Sequence, residues 1–524
     1  MSLESNAPRT ADGPRWNTAL KILVVGLLLM FGAWAGLRID VGHRTLGMLA
    51  AGGLTINSLL IWVLFFSRLP GTIRMAAASL VFIPILFVRL EGCDGDLRPI
   101  FGWRWQQRAD YALANSIPVA AVKPDEPVAP AVDLATTTPL DYPRFLGASG
   151  TGKVTGVKLS RDWKTQPPRE LWRRPIGAGW SGFSVVGDFA VTQEQRGDVE
   201  AVVCYRWKSG EPVWIHTNPG RHDTAMGGIG PRATPTIDRG VVYTLGAEGL
   251  LIALNGVDGR ELWSHNILEE NKASVPDWGK SCSPLVVGNL VIVSIGSDSA
   301  SLAAYDRESG AEIWKTGNDR SSYASPVLAH IGGVEQVVML GSQTVVGHEL
   351  STGKALWTFP WDGLAPKVPN PIVINDHQLL VSSGYGYGCK LLDVTREGDA
   401  WTVKELWSTT QLNPKFTHPI LFDGHIYSLD DGIAMVCLDL STGKRLWKKG
   451  RYGHGQLLLV DDLLVVMAEN GEVALVEPNP KEHRELGRFK ALKDRTWNNP
   501  TLVGNHLLVR NDLEAACFEL PVAP

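Results

Sequence analysis

The chain has 524 residues, of which 20% are charged, and a formal net charge of −4 at pH 7. This length allows two to four domains, and the nearly balanced charge argues against a nucleic-acid partner. The six cysteines form no C-x-x-C or C-x-x-C-H pattern, which argues against a covalently attached c-type haem.

The N-terminal part of the chain contains apolar runs that indicate membrane segments. Ala19–Ile39 and Leu46–Phe66 are long enough to cross a bilayer. Met75–Val88 is shorter, but Arg74 and Arg89 at its ends can reach the headgroups, so we interpret it as a third span rather than a surface helix. A cleaved signal peptide is a poorer interpretation of the first run, because a second apolar run follows it.

The compartment of the C-terminal part depends on the number of spans. Basic residues on the two sides of the predicted spans nearly balance, so the positive-inside rule does not decide the orientation. With a cytoplasmic N-terminus, three spans place the C-terminal part in the periplasm, and two spans place it on the N-terminal side.

The segment after the last apolar run has the composition of an anchor and a tether. Trp103 and Trp105, with Arg98 and Arg104, suit an anchor at the level of the lipid headgroups. Pro118–Pro139 is rich in Pro, Ala and Val and predicts an extended tether.

A repeated phrase that ends in tryptophan is the strongest signal in the chain. Clear copies are Asp439–Trp447 (DLSTGKRLW), Glu349–Trp357 (ELSTGKALW) and Ala253–Trp263 (ALNGVDGRELW). One copy has Leu486 where the others have Trp. Consecutive copies are about 39 to about 51 residues apart, a period typical of propellers and solenoids. The glycine suits a tight hairpin and the flanks alternate with period two, so each phrase is a strand, a turn and a strand.

Another pair of strands precedes each phrase, as in Ser283–Val293, and four strands per unit indicate a propeller blade. Such a blade cannot bury both faces alone, so the ring must close. We predict a mainly β fold, an eight-bladed β-propeller of four-stranded antiparallel blades preceded by N-terminal transmembrane α-helices. The tryptophans that end the phrases, here called the docking tryptophans, are expected to fill the gaps between blades: Trp172, Trp214, Trp263, Trp314, Trp357, Trp407 and Trp447.

The blade boundaries follow from the phrases. Seven blades are predicted at Gly179–Trp214, Gly230–Trp263, Trp278–Trp314, Ser322–Trp357, Val368–Trp407, Lys415–Trp447 and Gly453–Leu486. The eighth takes three strands from Trp497–Leu520 and the fourth from Glu170–Arg174, which latches the ring shut. The predicted regions are a cytoplasmic N-terminus (1–18), spans (about 19–39, 46–66 and 73–90), a juxtamembrane segment (91–116), a linker (117–141), a lead-in (142–169) and the propeller (170–524).

The phrase A-x-D-x-x-[ST]-G-x-x-x-W resembles the tryptophan docking motif of the pyrroloquinoline quinone (PQQ) repeat family, over Glu170–Pro524. That family includes quinoprotein alcohol and glucose dehydrogenases and the propeller lipoprotein of the outer-membrane barrel assembly machinery. The layout is also similar to membrane-anchored PQQ-like propellers of planctomycete-type bacteria. The resemblance implies a multi-pass protein of the bacterial inner membrane with its propeller in the periplasm, but it says little about activity.

The inner strands begin at polar residues that should line the axial channel, and the loops before them should ring one mouth. A planar anion such as PQQ would need cations for its carboxylates and a Trp to stack on. The ligand candidates on this basis are Trp278, Trp497, Arg232, Lys280, Lys415, His418, His454 and Asp223. The alternative is a water-filled funnel with solvated charges, in which His418 and His454 are polar lining rather than a metal pair.

No catalytic constellation is legible. The chain has no calcium loop of the D-x-D-x-D-G type, no G-x-S-x-G and no P-loop. Cys204, Cys437 and Cys517 occupy a small-residue position of the repeat and are interpreted as buried. Many quinoprotein alcohol dehydrogenases stack the cofactor on a disulfide between neighbouring cysteines, and no such pair exists here.

Two hypotheses follow, with no catalytic residue or metal ligand assigned. The favoured one is a membrane-anchored, non-catalytic binding or scaffold module of the cell envelope, with a protein or envelope-component partner and no cofactor. The alternative is a PQQ-dependent dehydrogenase, with PQQ and Ca²⁺, that oxidises alcohols or sugars and passes electrons to membrane quinone. A sensor that couples ligand binding to the membrane segment is a third option.

Overall fold

The computed structural model describes residues 16–37, 41–114, 132–363 and 365–523. The chain divides into two compact units, Met1–Gln106 and Gln107–Pro524. Most of the predicted cytoplasmic N-terminus (1–18) and most of the predicted linker (117–141) lie outside the described residues.

The N-terminal unit contains three apolar helices and a two-stranded hairpin. These are α1 (Trp16–Gly36), α2 (Val41–Ile61, continued by a π-helical stretch at Trp62–Phe66), α3 (Gly71–Phe87), β1 (Val88–Cys93) and β2 (Pro99–Trp103). Trp16–Gly36 and Val41–Phe66 are long and apolar enough to cross a membrane, whereas α3 has 17 residues. The chain leaves the helical conformation at Val88, so α3 ends before the predicted limit of the third span. That span and the orientation stay predictions.

The hairpin after α3 carries the aromatic pair that the sequence analysis assigned to a membrane anchor. The rings of Trp103 and Trp105 stack with centroids 4.8 Å apart, and both side chains are exposed. The anchor itself stays a prediction.

The C-terminal unit is the propeller. Three short elements come before its first complete blade: α4 (Ala109–Ala114), β3 (Lys153–Val154) and β4 (Arg169–Pro175). Blades one to four, with their connections, are β5 (Ser184–Val186), β6 (Phe189–Arg196), β7 (Val199–Arg206) and β8 (Glu211–Pro219); the hairpin β9 (Asp223–Thr224) and β10 (Gly228–Ile229); β11 (Thr236–Asp238), β12 (Val241–Leu245), β13 (Leu250–Asn255) and β14 (Glu261–Asn266); α5 (Ile267–Glu270); β15 (Leu285–Val287), β16 (Leu290–Ser297), β17 (Ala300–Asp306) and β18 (Glu312–Thr316); and β19 (Val327–Ile331), β20 (Val334–Leu340), β21 (Thr344–Glu349) and β22 (Ala355–Pro360).

Blades five to eight follow the same antiparallel order. Their strands are β23 (Ile372–Val373), β24 (Gln378–Ser383), β25 (Gly388–Glu397) and β26 (Ala400–Thr409); β27 (Ile420–Phe422), β28 (His425–Asp430), β29 (Ala434–Asp439) and β30 (Arg445–Lys449); β31 (Gln456–Val460), β32 (Leu463–Met467), β33 (Glu472–Glu477) and β34 (Arg484–Lys490); and β35 (Thr501–Val503), β36 (His506–Arg510) and β37 (Glu514–Glu519), which β4 completes. The predicted eight-bladed propeller of four-stranded antiparallel blades is confirmed.

The ring closes as predicted, between the two ends of the repeat region. Strand β37 pairs antiparallel with β4, and Cys517 lies opposite Trp172. Arg173 Nη1 donates to Glu514 Oε2 at 3.0 Å across the same pairing. The outer strand of the closing blade therefore comes from the N-terminal end of the repeat region, and the other three strands come from the C-terminal end.

The lead-in reinforces the neighbouring blade, which the sequence analysis did not foresee. Strand β3 pairs parallel to β31, with Lys153 opposite Leu459, so blade seven has five strands. Trp163 is buried, and its ring lies 5.8 Å from that of Phe489 in β34. This blade has Leu486 at the docking position, and Trp163 supplies a large aromatic side chain to the same core cluster.

The docking tryptophans join consecutive blades through their indole N–H groups. Six of them donate to a backbone carbonyl of the following blade: Trp172 to Trp207, Trp214 to Gly256, Trp263 to Arg307, Trp314 to Leu350, Trp407 to Leu440 and Trp447 to Asn479, at 2.7–3.1 Å. The indole also covers the glycine of the next blade's turn. Gly310 has φ +75°, and a Cβ there would lie 2.8 Å from Trp263 Cδ2, so the glycine serves both the turn and the contact.

Trp357 is the exception, and the local sequence explains it. Its indole N–H donates to Gln336 Oε1 of its own blade at 2.6 Å. Gly347 lies opposite it and leaves room for the ring over its own sheet. The following blade has the long β25–β26 hairpin in place of a short turn, and Trp401 of that hairpin packs against the same core.

Replacing Gly310 by Ala should destabilise the propeller by about 2–5 kcal/mol, because a positive φ costs roughly 1–2 kcal/mol and the clash with Trp263 adds about 1–3 kcal/mol. Gly288 is a matched control: its φ is +58°, but a Cβ there would meet nothing within 4 Å. Gly288→Ala should therefore cost only the backbone strain. Denaturant unfolding followed by tryptophan fluorescence measures both variants, and equal losses of stability would contradict the packing argument.

Candidate functional site

The polar residues that begin the inner strands bind neighbouring blades to one another. The N–H of Gly182 donates to Thr234 Oγ1 at 3.1 Å, and the N–H of Thr234 donates to Ser283 Oγ at 3.0 Å. The N–H of Ser283 donates to Ser325 Oγ at 2.9 Å, and that of Ser325 to Asn370 Oδ1 at 2.8 Å. The polar side chains that begin the inner strands of blades two to five thus accept hydrogen bonds from the preceding blade.

The pattern stops at blade six. His418, Gln456 and Asn499 begin or precede the inner strands of blades six to eight and line the central cavity. The buried atoms His418 Nδ1, Gln456 Oε1 and Asn499 Oδ1 have no hydrogen-bond partner among the described residues. Gln456 Nε2 donates to the carbonyls of Phe416 and Trp497 at 3.1 and 2.9 Å, which fixes the orientation of that amide.

The lead-in crosses the channel and closes one side of the cavity. Tyr142 forms a β-bridge with Val185 of blade one, and the carbonyl of Pro143 accepts from Ile237 N–H of blade two at 2.8 Å. Between these contacts and β3 on blade seven lies Phe145. Phe145 lines the central cavity on one side and, on the other, a second cavity among later residues of the inner strands. Phe145 is therefore the floor of the central cavity.

Aromatic side chains from five blades or their leading loops line the mouth side. They are Trp180, Trp278, Tyr323, Phe416 and Trp497. Consecutive ring centroids are 4.7 Å (Trp180 to Trp497), 5.1 Å (Trp497 to Phe416), 5.7 Å (Phe416 to Trp278) and 4.8 Å (Trp278 to Tyr323) apart. The space between this layer and the floor, together with its open mouth, measures about 840 Å³.

Arg232 is the cation of this cavity. Its guanidinium donates to the carbonyls of Gly227, Gly228 and Gly230. No carboxylate of the described part of the chain lies within ion-pair distance of it, and burial lowers the pKa of Arg232 to about 10. Tyr323 and Glu200 oppose this lowering of the Arg232 pKa, and burial raises the pKa of the Glu200 carboxyl to about 7.

The structure brings four of the predicted ligand residues to the cavity, namely Trp278, Trp497, Arg232 and His418. The other four lie elsewhere. Lys280 is buried and donates to Ile295 O and Ser321 Oγ at 3.1 and 2.6 Å, and burial lowers its pKa to about 8.

Lys415, His454 and Asp223 also lie outside the cavity lining. Lys415 forms an ion pair with Asp431 at 3.0 Å. The buried ring of His454 lies 5.3 Å from that of Phe416, and His454 does not line the cavity that His418 lines. In the described ranges no three His, Cys, Asp or Glu side chains are grouped as a metal site.

Asp223 belongs to the β9–β10 hairpin at the mouth. Met226, at the tip of this hairpin, is exposed and lines the cavity. At its base Asp223 pairs with Arg108 and with Arg221, the latter at 3.2 Å, and Arg221 also pairs with Asp110 of α4 at 2.6 Å. Arg108 and Asp110, which precede the predicted linker, thus hold the hairpin that borders the mouth.

Sequence reasoning missed Phe145, Gln456, Asn499 and Met226. Asn499 is one of the polar residues that begin the inner strands, but it was not among the ligand candidates. The position of Asn499 and His418 in the repeat could have indicated their role. At the same position, other blades have Ser, Thr or Asn residues that contact the next blade. Phe145 gave no signal, because nothing in the lead-in indicated that it enters the channel.

Comparisons with known proteins agree with this architecture. Residues 200–449 match the sequence model of a family described as outer membrane protein assembly factor BamB. BamB of Shewanella oneidensis is 20% identical over 292 residues, which cover 53% of this chain and 71% of that protein. BamB of Yersinia pestis is 22% identical over 262 residues, which cover 47% of this chain and 65% of that protein.

Among solved structures, a europium-containing methanol dehydrogenase aligns with a TM-score of 0.54 and 14% identity, over 73% of this chain and 98% of that chain. At this identity the likeness is one of fold alone. The chain is therefore an eight-bladed propeller with PQQ-like repeats that is similar to BamB over residues 200–449, and the planctomycete-type anchoring stays a prediction.

Acidification should lower the free energy of unfolding, because the buried His418 resists protonation in the folded protein. Burial lowers the pKa of His418 to about 4, from 6.5 when exposed. Between these values the unfolded chain binds more protons than the folded one, so stability is present above pH 6.5 and is lost as the pH falls toward 4. When the pH falls from about 7 to about 4.5, the parent should lose about 2–3 kcal/mol more unfolding free energy than the His418→Asn variant.

Unfolding free energies of both proteins at the two pH values measure this effect. Burial raises the pKa of Glu200 to about 7 and that of Asp512 to about 6, and these groups give the opposite slope. They are present in both proteins and cancel in the comparison. A variant that loses as much stability as the parent on acidification would show that His418 is protonated in the folded state.

Proposed function

We propose that this protein is a membrane-anchored, non-catalytic binding or scaffold module of the cell envelope, with an envelope protein as partner and its propeller on the periplasmic side of the inner membrane. The observation that carries the proposal is the match of residues 200–449 to the BamB family. The proteins of that name are assembly factors for outer membrane proteins. The two apolar helices long enough to span a membrane support the anchor.

The outer rim of the propeller offers a surface for such a partner. The fourth strands end their sheets, and an exposed apolar residue precedes the docking Trp in several of them: Leu262, Ile313, Leu406 and Leu446. An extended segment of a partner can pair with a sheet edge and place side chains against these residues.

The dehydrogenase alternative is less well supported by the cavity. PQQ chemistry in this family needs Ca²⁺ held by carboxylate and amide oxygens, and an acidic base near the quinone. The cavity lining includes amides, hydroxyls, one arginine and one histidine, but no carboxylate. These residues therefore do not fit the calcium-bound cofactor.

Photo-crosslinking in intact cells tests the scaffold proposal. A benzoylphenylalanine placed at Leu262, Ile313, Leu406 or Leu446 should form adducts with one and the same envelope protein, identified by mass spectrometry. Asp399, at the exposed tip of the β25–β26 hairpin, is the control position. Absence of adducts from all four rim positions would count against the proposal, and so would stoichiometric PQQ with dye reduction after addition of PQQ and Ca²⁺.

The compartment is tested separately. Protease added to intact cells should leave the propeller uncut, and the same protease added to spheroplasts should cleave it, because only then does the enzyme reach the periplasmic face. Cleavage that requires lysis of the inner membrane would place the propeller in the cytoplasm.

A further inference from the structure

Three unpartnered polar atoms face the central cavity from one side. His418 is 5% exposed and Gln456 is 3% exposed, and together with Asn499 they come from consecutive blades. Buried polar atoms in native proteins are nearly always hydrogen-bonded, so such a group needs an explanation. Amide oxygens accept hydrogen bonds, and the ring nitrogen of a neutral histidine accepts or donates according to its tautomer. This side of the cavity therefore calls for a molecule that carries hydroxyl or amine donors.

The opposite part of the cavity carries a different group. Arg232 comes from the start of blade two, lines the same space and has only carbonyls as partners among the described residues. A guanidinium without a carboxylate favours an anion, and it matches a carboxylate in a bidentate geometry. One cation facing the cavity indicates one negative charge on the occupant.

The remaining walls are flat and apolar. Trp180, Trp278 and Trp497 contribute indole rings to the lining, and Phe145 forms the floor. Aromatic faces in a small site favour a ring that stacks against them. The cavity thus combines a stacking surface, one cation and an arc of acceptors.

We propose that the central cavity binds a ring-shaped, hydroxylated monocarboxylate, with its carboxylate on Arg232 and its hydroxyl groups on Gln456, Asn499 and His418. An acidic sugar and a phenolic acid share this chemistry. The site requires no metal ion, because Arg232 itself balances the charge. It is independent of the outer rim, where the protein partner is proposed to bind.

The test uses the purified full chain in detergent, with tryptophan fluorescence and calorimetry as readouts. The probes are D-glucuronate for the sugar and 3,4-dihydroxybenzoate for the phenol. Each has a comparator that lacks one feature, D-glucose without the carboxylate and benzoate without the hydroxyl groups. At least one probe should bind at least about tenfold more tightly than its comparator, and which one binds identifies the source.

Two variants tie binding to the cavity. Asn499→Leu removes an acceptor and Arg232→Gln removes the cation, and each should weaken binding by about tenfold or more. The exposed Arg320, which does not line this cavity, gives the control Arg320→Gln. Because Arg232 also holds the backbone at Gly227–Gly230, its variant is first checked for an unchanged unfolding transition, and Asn499→Leu carries the test if that check fails.

The outcomes separate this proposal from the scaffold role. Absence of binding by both probes up to about 10 mM, or equal binding of probes and comparators, overturns the ligand site and means that water alone fills the cavity. Neither result changes the expected cross-links at the rim. Conversely, a specific ligand would stand even if no protein partner were captured.

Discussion

The structure depends on the contact between a docking tryptophan and the turn of the following blade. A four-stranded sheet exposes two apolar faces, and only a neighbour on each side removes both from water. The indole fills the space between two sheets, its N–H meets a carbonyl of the next blade, and the turn glycine lets the ring approach. Because each blade repeats this contact, the ring must close, and closure is achieved by pairing β37 with β4. Where the contact is altered, as at Trp357 and Leu486, other aromatic side chains, Trp401 and Trp163, pack at the same seams.

Closure also creates the cavity. Bringing eight inner strands around one axis places their polar first residues side by side, and in blades one to five these residues bond to one another. Blades six to eight depart from that pattern with His418, Gln456 and Asn499, so polar atoms are left facing inward. The same lead-in that strengthens blade seven blocks one end of the channel with Phe145. The channel thus becomes a cavity whose mouth is bordered by the β9–β10 hairpin, which α4 helps to hold.

Local signals predicted the candidate site only in part. Trp278, Trp497, Arg232 and His418 line the cavity, because loops before inner strands necessarily surround the axis. Lys280 and Lys415 come from equivalent loops, yet their side chains turn away and bind within or between blades. Sequence position fixes which end of the channel a residue occupies, but the direction of a long side chain depends on the carbonyls and carboxylates that surround it after folding.

The repeat alone determined the fold: the period, the turn glycines and the terminal Trp indicate the strands, the number of blades and the residues that seal the ring. These features are local and recur in each blade, so the same sequence pattern indicates the fold several times along one chain. Only the tertiary structure decided what fills and lines the channel. The path of the lead-in, the partners of the buried lysines and the unpartnered atoms of blades six to eight depend on contacts that do not recur from blade to blade, so no periodic pattern indicates them.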